Sequence, residues 1–342
     1  METDDLHVLA RNGTLAGLPA ETLTLTRLSA RNAAGNTPLH VAAKYGHLTL
    51  LPAAVLNPAA FMLRNDSGYT PLHHAALGVH LDQVPSACLT ADLLGQSSNA
   101  GYTVFHVAAA SGSLHQLPAA LLTTEVMLSR TSLGNTLLHE AAEAGTLDRL
   151  PAGILTPENL ANRNISGETV VHVAALNGHL DLIPADLLSA DLLRAKTNTG
   201  DTVFHAAAIA GHLHQIPAPF LTHDNLVLAS DAGFTTIHAA AETGQLNRIP
   251  HEHLTRDLLL TRNDNGDTPL HAAAHEGHLD QVPLPLFTGE LLEVRNYDGL
   301  SVARIAHDRG FSDQIPPAFR PKAPGLIGTL LRKTGLSRKP FA

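Results

Sequence analysis

The apolar and polar positions of this chain follow a 33-residue block that recurs along its length, not one helical or strand period. In the block that opens at Gly35, the polar turn Asn32-Ala33-Ala34 leads into Thr37-Pro38, then Leu39, Ala42 and Ala43 at helical spacing. Thr37 suits an N-cap, and Pro38 suits the first helical position, where no amide donor is needed. Gly35 fits a turn residue of positive φ, and Gly46 fits the position just past the helix end. Small side chains on the helix face predict neighbouring helices at the short end of about 8–10 Å. His47-Leu48-Thr49-Leu50-Leu51 then begins a second helical stretch.

The block returns without insertion. Glycines fall at Gly35, Gly68, Gly101, Gly134, Gly167, Gly200, Gly233, Gly266 and Gly299, and prolines keep the same step from Pro19 to Pro316. About ten blocks run from Glu2 to Leu331. The proline stands where the second helix should continue, and proline inside a helix costs about 3 kcal/mol. Four or five residues later comes an N-cap type, such as Thr24, Asn57, Thr90 or Ser189, with an apolar residue four further on, such as Leu28, Phe61 or Met127. The outer helix is therefore expected to be split, with a separate one-turn helix on the outer side.

Two blocks carry a family resemblance. Gly35-Asn-Thr-Pro-Leu-His-Val-Ala-Ala-Lys-Tyr-Gly-His-Leu resembles the ankyrin repeat signature, and so does Gly266-Asp-Thr-Pro-Leu-His-Ala-Ala-Ala-His-Glu-Gly-His-Leu. The resemblance implies an all-α chain with short hairpin turns, stacked as a curved solenoid whose concave face binds proteins. The in-register proline departs from the family pattern, which has an uninterrupted second helix. The expected organisation is an ankyrin-repeat solenoid over 2–331, with an N-terminal cap at 2–34, repeats at 35–298 and a C-terminal cap at 299–331. Asp4-Asp5 replaces the usual Thr-Pro at one end, and Ser301-Val-Ala-Arg304 replaces Thr-Pro-Leu-His at the other, as terminal repeats should differ. A basic tail, 332–342, follows.

Composition narrows the classes of function. The formal charge is −9, yet residues 317–342 carry six cations and no acid, which leaves −15 on residues 1–316. Such an acidic body disfavours nucleic acid as a partner. Cys88 stands alone, which excludes an intramolecular disulfide, and no apolar run approaches the roughly 20 residues needed to span a bilayer. The acidic start Met1-Glu-Thr-Asp-Asp does not resemble a signal peptide. The expectation is a monomeric cytoplasmic protein. The alternative is a secreted effector delivered into a host cell, since the basic tail resembles that of some bacterial effectors. Leu326, Ile327, Leu330 and Leu331 beside Arg332-Lys333 could cap the last repeat, or touch a membrane peripherally through 325–342.

Twenty-two histidines raise the question of a metal. Nine share one block position, from His7 and His40 to His271, where the resemblance implies hydrogen bonds to turn backbone that tether neighbouring repeats. Five more, His47, His80, His179, His212 and His278, start the second helical stretch. Equivalent residues one block apart stand about 10 Å from each other. Zinc ligands lie about 2.0–2.1 Å from the metal, so such ladders cannot share one. His271 with His275 and His278, and His251 with His253, lack a third-ligand motif. No phosphate loop or nucleophile elbow occurs, and Cys88 takes the place of Val55, Leu121 and Ile154, as a core residue would. No catalytic, metal or cofactor residue is assigned.

Where blocks differ, a partner can be recognised. The variable positions flank the hairpin glycine and end the inner helix, and all four tyrosines fall there: Tyr45, Tyr69, Tyr102 and Tyr297. Phe234 joins them, with Lys44, Glu143, Asp201, Glu242 and Glu276 as charged neighbours. Tyrosine offers a rigid apolar body with a polar tip. The pattern predicts a non-catalytic scaffold whose groove holds a protein or peptide bearing Lys or Arg and some apolar anchors. The alternative is a structural or self-assembling solenoid that docks its basic tail on a neighbour's acidic body.

Overall fold

A computed structural model describes residues 5–320. The chain divides into two compact units, Met1–Asp231 and Ala232–Ala342. In the first, seven inner helices stack in chain order: α1 (Leu6–Asn12), α2 (Pro38–Tyr45), α3 (Pro71–Leu77), α4 (Val104–Ser111), α5 (Leu137–Ala144), α6 (Val170–Asn177) and α7 (Val203–Ile209). In the second, α8 (Thr236–Glu242), α9 (Pro269–Glu276) and α10 (Val302–Arg309) stack in the same way. Among the described residues no strand forms; the hairpins carry only isolated bridges such as Arg163–Thr169.

Helix α2 shows how the sequence sets each inner helix. Thr37 caps it by accepting the His40 amide, Pro38 opens it, and Gly46 closes it at φ 74°. Leu39, Ala42 and Ala43 are fully buried between neighbouring helices. Removing these apolar surfaces from water stabilises the stack by about 25 cal/mol per Å².

The outer layer is broken where the prolines predict. After α2 the chain makes a 3-10 turn at Leu48–Leu50, then extends at Pro52 (φ −57°, ψ 135°). A second 3-10 turn, Ala53–Val55, follows, and Asn57 caps the one-turn helix Pro58–Phe61 by accepting the Ala60 amide at 3.2 Å. Equivalent caps at Thr24, Thr90, Thr123, Thr156, Ser189, Thr255 and Thr288 also accept an amide. The apolar residue four past the cap, such as Leu28, Phe61 or Leu94, is fully buried. The second helical stretch expected from His47 is thus no continuous helix, because a missing amide donor and a fixed φ at each proline stop it.

Four kinds of bond tie one repeat to the next. In the Thr–His pair, His40 Nδ1 accepts the Thr37 amide at 3.2 Å, so Nε2–H donates to the Tyr69 carbonyl at 3.0 Å. His47 Nδ1 donates to the Ala10 carbonyl at 2.8 Å and lays its ring over the preceding repeat's helix end. Gln83 Oε1 accepts the Leu48 amide at 3.1 Å, and Gln116 repeats this with Leu81 at 2.9 Å. A column of cations reaches the next repeat's carbonyls: Arg64 to Ser97 (2.5 Å), Arg130 to Arg163 (2.5 Å), Lys196 to Ala229 (3.0 Å).

One repeat departs from the pattern. At the end of α3 the glycine moves one residue early, to Gly78, where a Cβ would collide with the Lys44 backbone. Val79 is left in the left-handed region, at φ 62°, as the one non-glycine residue there among those described. A β-branched side chain in that conformation carries about 1–2 kcal/mol of strain. Val79→Gly should therefore raise stability by about 1 kcal/mol, read as a higher urea midpoint at unchanged slope. A lower midpoint would show that its side chain contributes more than the strain costs.

Candidate functional site

The variable positions lie on the surface formed by the hairpins and inner helices, and each unit presents its own arrangement. In Met1–Asp231, Tyr45 ends α2 and is 37% exposed. Arg11 donates to its hydroxyl through Nε (3.1 Å) and a terminal nitrogen (3.0 Å), with Cζ 5.3 Å from the ring centre. That hydrogen bond, with the positive charges of Arg11 and Lys44, holds the phenol below its usual pKa. Lys44, Tyr45, Arg11 and Asn36 line one open pocket, a cationic corner.

Tyr69 and Tyr102 occupy the same position in successive repeats and are half-buried. Their rings stand edge-on to the scaffold histidines, Tyr69 5.1 Å from His73 and Tyr102 6.2 Å from His106. Burial, then the charges of Glu140 and Glu143, push the Tyr102 phenol up to about 12. Tyr102 and Glu143 are therefore neighbours in an environment that also holds Glu140, which the sequence reading missed. Glu140 is 5% exposed, accepts from Asn135 Nδ2 at 3.0 Å, and is driven toward its protonated form mainly by burial. Its signal was available: the same column holds Val41, Val107 and Val173, so an acid there is out of register. His74, also in that column, has a buried Nδ1 with no hydrogen-bond partner. At the α7 end, Asp201 shares a pocket with Glu168, Leu176 and Ile209.

In Ala232–Ala342, three predicted residues meet. Phe234, Glu242 and Glu276 line one open pocket of about 530 Å³ with Ala272, Leu300 and Ile305. Asp267, Asp298 and Asp308 bring the carboxylates to five, against one guanidinium, Arg309, in the lining. His275 hydrogen-bonds Glu276 at 2.6 Å and holds its carboxyl below the usual range, so the acid stays ionised. Arg309 in turn contacts His275. Tyr297 is 73% exposed, and its ring lies over the hairpin at Gly266. Among the described residues no group of three or more His, Cys, Asp and Glu side chains is placed to hold a metal. Nor is any helix there long and apolar enough to cross a membrane.

Capped inner helices tied one period apart by Thr–His pairs define a helical repeat protein. A model for ankyrin repeats in many copies matches residues 27–75, and a model for the ankyrin repeat matches 265–284. The chain therefore carries ankyrin repeats within an all-α fold, and repeats of this kind are in general protein–protein interaction modules. No curated protein matches the chain. The basic tail 332–342, and the suggested membrane contact through 325–342, lie outside the described residues.

Proposed function

We propose that the chain is a non-catalytic scaffold that holds a protein or peptide segment on its variable surface. The observation that carries this reading is the pocket of Ala232–Ala342, where Phe234, Leu300 and Ile305 share one lining with five carboxylates. Such a surface favours a segment with one or two apolar anchors flanked by Lys or Arg. Apolar anchors supply most of the affinity, and the charges set partner choice and the rate of encounter. In Met1–Asp231 the tyrosines act as anchors of the same kind, stiffened by their histidine neighbours.

The test is fluorescence anisotropy of the full chain with a labelled peptide alternating Leu and Arg, against its Leu and Glu counterpart. The cationic peptide should bind, and binding should weaken as salt rises. Phe234→Ala should raise Kd about tenfold or more. Glu242→Gln with Glu276→Gln should flatten the salt dependence. For a partner held on the first unit, Tyr69→Ala and Tyr102→Ala should each weaken capture by about 2 kcal/mol. Equal binding of the two peptides would sink the reading.

A further inference from the structure

We propose that residues 321–342 of this same chain occupy the pocket of Ala232–Ala342 in cis, so that a partner must displace them. The inference rests on the peptide-binding reading above and adds the identity of a resident ligand.

Three observations favour this occupant. The first is charge: the segment carries Lys322, Arg332, Lys333, Arg338 and Lys339 and no acid, against the five carboxylates of the pocket. The second is its apolar content. Leu326, Ile327, Leu330 and Leu331 supply anchors for a pocket whose lining exposes Leu300 at 40% of its surface. The third is position. The Arg320 guanidinium donates to the carbonyls of Ile315 (2.7 Å) and Asp313 (2.8 Å), which fixes the point of departure on the last repeat of the same unit. The 22 residues that follow can span up to about 70 Å when extended. A unit of this size has a radius of gyration of roughly 13 Å, so the pocket is within reach.

Tethering then decides occupancy. Linked segments meet at effective concentrations on the order of mM, so an intrinsic Kd as weak as about 0.1 mM still leaves the pocket mostly filled. A free cationic segment competes against that tether, and its apparent affinity falls accordingly.

Three of the chain's five lysines, Lys322, Lys333 and Lys339, lie in the segment, which makes zero-length carbodiimide coupling a direct probe. In the monomeric full chain, coupling followed by mass spectrometry should join these lysines to Glu242, Asp267, Glu276, Asp298 or Asp308. Glu242→Gln with Glu276→Gln should cut the remaining pocket links several-fold. Links spread over carboxylates outside the pocket, or indifferent to that double change, would overturn the proposal. Links joining ¹⁴N to ¹⁵N chains in a mixed sample would overturn it in favour of a second copy. A full chain with all five tail cations changed to Gln should bind the Leu–Arg peptide at least several-fold more tightly than the parent. Equal binding by both chains overturns the tail proposal and leaves the pocket reading standing; binding by neither overturns both.

Discussion

Acidification from pH 7 to pH 4 is expected to unfold Met1–Asp231. In His40, His73, His139 and His172, burial is the main cause that pushes the ring down to about 4, and in His74 to about 3. The ordinary value is about 6.5. The geometry agrees, because in the Thr–His pairs Nδ1 accepts a threonine amide and would face it hydrogen to hydrogen if protonated. Since these rings are neutral when folded, the unfolded chain binds protons first as pH falls below 6.5. Stability is therefore complete above that value, declines toward pH 4, and declines no further from this cause below the folded values.

Each such ring contributes about 1.4 kcal/mol per pH unit through that window. Five acting together amount to roughly 5–7 kcal/mol per unit, against a total stability of about 5–15 kcal/mol for a typical domain. Glu140 opposes the trend, since its raised pKa favours the fold at low pH, but it is one group against five. Urea midpoints followed by circular dichroism should fall steeply from pH 6.5 downward. A midpoint constant from pH 7 to 5, with loss only in the carboxylate range, would refute this account.

The second large effect is expected from Gly145→Ala. Gly145 ends α5 at φ 69°, and an added Cβ would stand 2.7 Å from His179 Nε2 of the next repeat. Left-handed strain costs about 1–2 kcal/mol, and the methyl group would displace a ring whose Nδ1 donates to the Ala142 carbonyl at 2.8 Å. Losing that bond adds a further 1–2 kcal/mol, for a total of about 3 kcal/mol. Gly153 provides the comparison: φ is 82°, but nothing lies within 4 Å of the added atom. Gly153→Ala should cost only about 1 kcal/mol of strain. Equal losses at the two positions would remove the histidine from the explanation.

What could be read from the residues depended on the range of the interaction. The caps at Thr37 and Asn57, the helix end at Gly46 and the break at Pro52 follow local rules, and all are where those rules put them. The Arg and Gln ties were overlooked although their columns are visible, at Arg64, Arg130 and Arg163 and at Gln83, Gln116 and Gln215. A long side chain's target one repeat away is not a local property. Val79 was missed for the converse reason, because a tertiary approach at Gly78 overrides the preferred position of the glycine. In the site, exposure was the illegible quantity. Tyr69 and Tyr102 share a column and a half-buried setting against histidine, whereas Tyr297 sits in the hairpin column over Gly266. Phe234, Glu242 and Glu276 converge because positions near both ends of an inner helix and its hairpin open onto one hollow.

The ties between repeats are indexed only to the neighbouring block: His40 to Tyr69, Gln83 to Leu48, Arg64 to Ser97. Excising one whole block from the middle of the first unit would hand each orphaned group an equivalent partner from the following block, and no bond type would be lost. Removing a single residue would instead put the ties that span it out of step, with no equivalent partner to take their place. The stack thus tolerates change in length only in whole-block quanta, while the run of variable positions can be lengthened, shortened or reshuffled by the same step.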